Sequence, residues 1–433
     1  MAGALSSLGE ENKLERLPGM DRILRFEEAL AVVLRHSQAS SNPQKVETVA
    51  LSSARGRVLA RAVVADRDQP PFDRATRDGY AVRAADLAGA ALTELRVVGS
   101  LRAGETWRGA PLRAGEAIEI MTGAGLPAGA DAVVMVEDTV LENGGLRWQR
   151  ALGVGDNVVP RGAETRAGCP VLARGTLLEG AEIGVAASCG QARLEVFVRP
   201  KVAIAATGDE LVELDEPMES AQIRNSNSYA LAALVESSGG VAERLAIARD
   251  CVEDLRARVV EGCQADLLLF SGGVSMGKYD LVEQVLSEFG AEFFFTGALI
   301  QPGKPIVFGR LPQRDALRPE GWTYFFGLPG NPVSAQVCFH LFVAPLLRAQ
   351  CGRVNFAPLF VEARLAEAAQ GGSRVTRFLP AGVSGAWDGV EVRLVGWQGS
   401  GDVVANARGD GYAVFPAGVE AFAAGETVRV LLR

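Results

Sequence analysis

Histidine is nearly absent from this chain, which carries His36 and His340 alone. So little histidine argues against His-based acid–base catalysis. His340 lies in an apolar stretch and reads as a core residue. The six cysteines (Cys169, Cys189, Cys251, Cys263, Cys338 and Cys351) never pair at C-x-x-C spacing. With two histidines available, a zinc site is not expected, and cytosolic thiols are. Excess positive charge is missing too: the net charge is -8 and the pI about 5.2. That argues against nucleic acid or an anionic membrane as a partner. The longest apolar stretch, 337–347, is interrupted by His340 and Pro345 and is too short to span a bilayer. The first twenty residues hold Glu10, Glu11, Lys13, Glu15 and Arg16 without an apolar core, so no signal peptide is expected. Residues 1–19 read as a mobile tail and the chain as cytoplasmic.

Lysine is almost as scarce as histidine. Of the 44 residues that are Lys or Arg, five are lysines: Lys13, Lys45, Lys201, Lys278 and Lys304. Two of these stand beside glycine-rich turns. A compact ammonium suits a phosphate where the planar fork of Arg does not fit.

What the chain does have is organised around residues 265–280. Residues 267–270, Leu-Leu-Leu-Phe, suit a strand buried on both faces. Ser271-Gly272-Gly273 breaks the run. Leu281, Val282, Val285, Leu286 and Phe289 then recur at helical spacing, with Gly290 as the stop. Glycines admit a ligand close to the backbone, and successive amides form an anion nest. Ser271 and Ser275 add hydroxyls, and Lys278 and Asp280 add charges. The stretch fits a phosphate or oxyanion site. It fits equally an ordinary tight turn capped by Ser275 or Asp280.

At 433 residues the chain is too long for one core, so several domains are expected. Phe26, Ala29, Leu30, Val33 and Leu34 fit one helix face. Residues 48–64 read as a helix-poor connector. The Pro-, Asp- and Arg-rich run 69–83 is a structured loop that continues into a strand at Tyr80. Short β-type runs separated by glycine turns predict a small all-β domain over 65–164. A short helix over 181–189 follows.

From Arg199 strands alternate with helices, ending in a long helix over 333–350. This pattern predicts a doubly wound parallel sheet with helices on both faces over 197–350. Ligands bind such sheets beyond the carboxyl ends of the strands. Four polar turns fall there: 207–210, Asp250, 271–280 and 327–332. Residues 241–248 are expected as one strand. After about Gln350 no further helix is expected, and 351–433 reads as a small, barrel-like β domain.

Glu210, Asp250 and Asp280 are expected together at that strand edge. Carboxylates beside an anion nest suit Mg2+, which takes oxygen ligands and bridges phosphates. Helix capping is the competing use of Asp280. Gln301-Pro302-Gly303-Lys304-Pro305 presents one ammonium group from a rigid loop. With no Ser-His-Asp or Cys-His arrangement, the expected chemistry is electrostatic and metal-assisted.

Six motifs occur in order. They are Pro-Pro-Phe-Asp…Asp-Gly-Tyr-Ala-Val-Arg (70–83), Ile-Met-Thr-Gly-Ala (120–124), Thr-Gly-Asp-Glu-Leu (207–211), Ser-Gly-Gly-Val-Ser-Met-Gly (271–277), Pro-Gly-Lys-Pro (302–305) and Gly-Leu-Pro-Gly-Asn-Pro-Val-Ser-Ala (327–335). Together they resemble the molybdopterin molybdenumtransferase family, also seen in the E domain of gephyrin, from about residue 20 to 433. The resemblance implies an elongated, L-shaped subunit of four domains. A linker and dimerisation domain takes 20–64 and 165–196, followed by the small β, α/β and C-terminal domains. The α/β domain resembles the molybdopterin adenylyltransferase fold.

The resemblance further implies a homodimer with its site shared between subunits. The substrates would be adenylylated molybdopterin and molybdate. Mg2+ would assist release of AMP, and a transfer complex with the molybdopterin adenylyltransferase would deliver the pterin. The residues it carries over as catalytic are Asp78, Glu210, Asp280 and Lys304. Glu210, Asp250 and Asp280 would hold the metal. Thr122, Glu164, Ser271, Gly272, Gly273, Ser275 and Ser334 would bind substrate, with Arg374 and Ser400 as molybdate contacts. Gln301 stands where family members often have Lys or Arg, and Arg74 and Arg77 where small residues or Met are common. Two other readings share the motifs: a non-catalytic scaffold of the same fold, and a molybdopterin adenylyltransferase. Retained carboxylates favour the enzyme over the scaffold, and the extra β domains argue against the adenylyltransferase.

Overall fold

A computed structural model describes residues 22–41, 43, 45–88, 94–273, 281–312, 321–371 and 373–433. The tail 1–19 and the residues Ser275, Lys278 and Asp280 lie outside the described residues. The chain divides into two compact units, one of residues 46–196 and one of 1–45 with 197–433. This division falls inside the expected linker segment 20–64. The helix Phe26–Ala39 buries Ala29 and Val33 within the second unit, and only the part from Val46 onward joins 165–196.

In the unit 46–196, one core gathers Ala54, Leu59, Val63, Leu178, Ala186, Leu194 and Val196. The helix Gly180–Ser188 packs here and is stopped by Gly190 at φ +71°. A six-stranded sheet builds a second part of the unit. Gly79–Val82 lies between Ala132–Met135 and Glu116–Ile120, antiparallel to both. Side chains alternate across its two faces. Tyr80, Val82, Ala117 and Val134 enter one core; Ala81, Ile118, Ile120 and Val133 enter another. Both faces are covered, which explains the strands' apolar sequence.

The other unit holds the expected α/β domain. Its sheet runs Val241–Arg244, Lys201–Ala206, Leu267–Ser271, Trp322–Leu328, Val307–Pro312, Glu292–Phe295. The first four strands are parallel. Val307–Pro312 is antiparallel to both its neighbours, so the sheet is mixed and not all parallel. The physical reason is connection length: a few residues separate Glu292–Phe295, Gly297–Gln301 and Val307–Pro312, too few for the helical crossover a parallel pair needs. Val241–Arg244 also ends earlier than expected, and Ala248 returns to the sheet as a single bridge to Thr207.

Leu267, Leu268, Leu269 and Phe270 are wholly buried, as their continuous apolar sequence requires. Each contributes about 1.5–3 kcal/mol by leaving water. The long helix Pro332–Gln350 is 83% buried over its apolar window. Its 19 residues are long and apolar enough to cross a bilayer, more than the 337–347 stretch suggested. Here it serves as a core helix. Pro345 has no N–H for the helical ladder, and the turn before it, Phe339–Val343, loosens into a π-helix.

The C-terminal strands close on themselves. Thr376–Ala386 pairs Gly389–Leu394, then Phe360–Leu365, Thr427–Leu432 and Gly411–Phe415 follow, and the last pairs Thr376–Ala386 again. This five-stranded barrel leaves no free edge along that circuit. Its interior holds Ala363, Leu379, Ala381, Val392, Phe415 and Val430. The expectation of no helix after Gln350 is corrected by Val403–Ala407, a short helix whose Asp402 side chain accepts from Ala405 N at 2.9 Å. A single turn held by one cap shows no periodicity in sequence.

Candidate functional site

At the carboxyl ends of the parallel strands lies a cavity of about 770 Å³. Its wall includes Thr207, Gly208, Glu210, Arg224, Asn227, Asp250, and the turns at Ser271–Gly273 and Pro329–Pro332. Four separate turns thus converge as the sheet reading predicts. The register explains this. Ala206 pairs with Ser271, and Ser271 with Leu328, so three strands end at one level and their turns meet.

The glycines are required by geometry. Gly272 has φ +93° and Gly273 φ +66°. A Cβ at Gly272 would stand 2.4 Å from the Thr207 carbonyl oxygen. A Cβ at Gly273 would stand 2.6 Å from Thr207 Cγ2. Ser271 is buried beside them. Asn227, at the start of the helix Ser226–Ser237, donates from Nδ2 to Ser271 Oγ at 2.9 Å and to the Gly330 carbonyl at 2.7 Å.

Two carboxylates line the same cavity. Thr207 Oγ1 donates to Asp250 Oδ1 at 2.7 Å, and Asp250 N donates to Asp209 Oδ1 at 3.3 Å. The Glu210 carboxylate folds back over Gly208, where an added Cβ would meet it at 2.5 Å. Glu210 and Asp250 therefore both line the cavity. Asp280, expected as the third, lies outside the described residues, as does Ser275. Among the described residues no three His, Cys, Asp or Glu side chains group to hold a metal ion.

The remaining expected residues are placed differently. Lys304 is exposed, and its carbonyl accepts from Ala298 N and Ile306 N at 3.0 Å each. Those bonds fix the loop while leaving the side chain to solvent. Ser334 is 96% buried in the helix Pro332–Cys338 and is not on the described cavity wall. Arg374 is exposed ahead of the strand Thr376–Ala386 and is not on that wall either. Ser400 accepts from Asn331 Nδ2 at 2.9 Å, and its carbonyl accepts from Val333 N at 3.0 Å. Its neighbour Gly401 lines the cavity. The barrel thus supplies part of the rim.

In the unit 46–196, Asp78 Oδ1 accepts from Thr122 N at 2.6 Å and Thr122 Oγ1 at 2.7 Å. The backbone bond first, and the hydroxyl bond second, hold the Asp78 carboxyl below its ordinary range. Asp78 stays ionised and exposed. Glu164 pairs with Arg74 at 2.9 Å, so the unusual Arg74 has a use next to this loop.

Two residues of the cavity wall escaped sequence reasoning: Arg224 and Asn227. The signal lay in Asn225-Ser226-Asn227. Asn225 caps the helix by accepting from Ser228 N, which leaves the second asparagine without a capping role.

The geometry defines an α/β domain whose cavity, at the strand ends, is lined by a glycine turn and two carboxylates. Comparison with known proteins narrows this. Residues 24–190 match the MoeA N-terminal region (domain I and II). Residues 203–349 match the model described as "Probable molybdopterin binding domain", and 362–432 the MoeA C-terminal region (domain IV). A molybdopterin molybdenumtransferase of Nostoc sp. is 36% identical over 396 residues, 90% of this chain and 89% of the relative. One of Staphylococcus aureus is 32% identical over 400 residues, 92% of this chain and 93% of its own. A solved molybdopterin biosynthesis moeA protein from Pyrococcus horikoshii is 33% identical with a TM-score of 0.71. That match covers 95% of this chain and 99% of the other. The chain belongs to the molybdopterin molybdenumtransferase family.

Proposed function

We propose that this chain inserts molybdenum from molybdate into adenylylated molybdopterin, releasing AMP with the help of Mg2+. Membership of the family makes it a transferase of molybdenum cofactor biosynthesis. The observation that carries the finer reading is the cavity, lined by a glycine turn together with Glu210 and Asp250. The Ser271–Gly273 turn suits phosphate oxygens, because Gly272 and Gly273 put no side chain in the way and Ser271 adds a hydroxyl, while the Gly272 amide itself is taken by the Leu328 carbonyl at 3.1 Å. Asp250 is held by Thr207, and the exposed Glu210 carboxylate lies over Gly208. These two are the described residues that would hold Mg2+, with phosphate oxygens completing a set the protein alone does not supply. Bound there, the ion would polarise the phosphate. Lys304, exposed on a fixed loop, is suited to meet molybdate, with Arg374 and Ser400 as further contacts.

The working unit we propose is a cytoplasmic homodimer with a site shared between subunits. Asp78 and Thr122 of one subunit would complete the site of the other. A transfer complex with the molybdopterin adenylyltransferase would supply the pterin. The test is incubation with adenylylated molybdopterin, molybdate and Mg2+ while AMP is followed. AMP release that needs both Mg2+ and molybdate supports the reading. No release under those conditions overturns it.

A further inference from the structure

We propose that Asn227 is a positioning residue that fixes Ser271 as a hydrogen-bond donor aimed into the cavity. The inference rests on the cavity being the site for adenylylated molybdopterin. Nδ2 of Asn227 lies 2.7 Å from the Gly330 carbonyl oxygen. A carbonyl accepts and never donates, so the nitrogen must be the amide atom facing it. The flipped amide would set two oxygens against each other. An amide nitrogen carries two hydrogens, and the second is directed to Ser271 Oγ at 2.9 Å. Ser271 is therefore the acceptor in that bond, and its own proton must be donated elsewhere.

Ser271 is 98% buried, and among the described residues no acceptor meets its hydroxyl proton. A buried donor without an acceptor is costly. The wall it belongs to also holds Gly272 and Gly273, whose left-handed backbone shapes the anion turn. A phosphate oxygen entering the cavity would satisfy the proton. Asn227 thus sets in advance which way the serine bond runs, so substrate binding need not reorient the hydroxyl. The same amide ties the end of Leu267–Ser271 to the turn after Trp322–Leu328, holding two cavity walls together.

A double-mutant cycle separates this role from a merely structural one. Adenylylated molybdopterin is titrated anaerobically into full-length protein, read by pterin fluorescence. Ser271→Ala should weaken binding by about ten- to hundredfold, the loss of a donor to a charged acceptor. Asn227→Ala should weaken it by a similar factor in the native background. In the Ser271→Ala background it should cost less than about twofold, because its effect runs through the serine. If Asn227→Ala does not fold, Asn227→Asp, which keeps the shape but takes the serine proton, enters the same cycle. Its loss should be smaller in the Ser271→Ala background. Independent, additive losses overturn the inference and leave the site reading intact, as does a Ser271→Ala protein that binds normally. Wild-type protein that fails to bind the pterin overturns both.

Discussion

Replacing Gly272 by Ala should open the cavity's anion turn, and the size of the effect follows from the structure. Two costs combine. The first is conformational: φ is +93°, where an L-residue costs about 1–2 kcal/mol. The second is steric, because the new Cβ would lie 2.4 Å from the Thr207 carbonyl oxygen. That oxygen belongs to the backbone. The peptide group that carries it is held by Gly208 N, which donates to the Ala248 carbonyl at 3.2 Å, and the preceding one by Thr207 N, which donates to Ser271 O at 3.0 Å, so the carbonyl resists swinging aside. Overpacking of this kind costs about 1–3 kcal/mol. The sum is about 2–5 kcal/mol, concentrated in two turns.

Gly290, in the same domain, separates the terms. It has φ +80°, but its added Cβ meets nothing nearer than Pro312 Cγ at 3.7 Å. Gly290→Ala therefore carries the conformational cost alone, about 1–2 kcal/mol. Native-state hydrogen exchange on peptides spanning 201–212 and 265–273 reads the local opening energy. Gly272→Ala should speed exchange there by about thirtyfold or more, at tenfold per 1.4 kcal/mol. Gly290→Ala should leave those peptides near wild type and speed only its own helix end. Equal, small effects from both substitutions would refute the claim that the Thr207 carbonyl closes the turn to any side chain.

Three further outcomes are expected. Thr122→Val removes one of the two donors to Asp78, so its carboxyl pKa should rise toward the ordinary value, read by carbon NMR titration; an unmoved titration refutes the contribution of the hydroxyl. If the site is shared between subunits, Asp78→Ala and Glu210→Ala, each inactive, should recover about a quarter of wild-type activity when refolded together. Absence of recovery, with hybrids seen by native mass spectrometry, would mean the site is not shared. Burial first, then Arg433 and Arg348, pushes the His340 pKa from 6.5 down to about 4. The folded state therefore resists binding a proton that the unfolded chain accepts. Stability is full above about pH 6.5 and falls by about 3 kcal/mol as pH drops toward 4. His340→Leu should flatten that slope in urea unfolding at a series of pH values.

Sequence alone determined the elements whose local pattern was self-sufficient. The run 267–270 suited a strand covered on both faces, and Gly190 and Gly290 marked helix ends because few other residues take a left-handed φ. The convergence of Thr207, Asp250, Ser271 and the 327–332 turn followed from strand order, since successive parallel strands bring their carboxyl ends together. The glycine turn at the end of that strand was legible too, though its sequence fits an ordinary tight turn as well as an anion site. What stayed hidden depended on partners far along the chain. The antiparallel turn of Val307–Pro312 is set by loop lengths and sheet pairing. The barrel closes because Thr376–Ala386 is long enough to bond Gly389–Leu394 at one end and Gly411–Phe415 at the other. Asn227 gave no sequence signal beyond a spare asparagine. Its role exists only because folding brings Gly330, 103 residues away, and Ser271, 44 residues away, within reach of one amide nitrogen. A carbonyl on one side then decides the direction of a hydrogen bond on the other, and that is a property of three-dimensional contact.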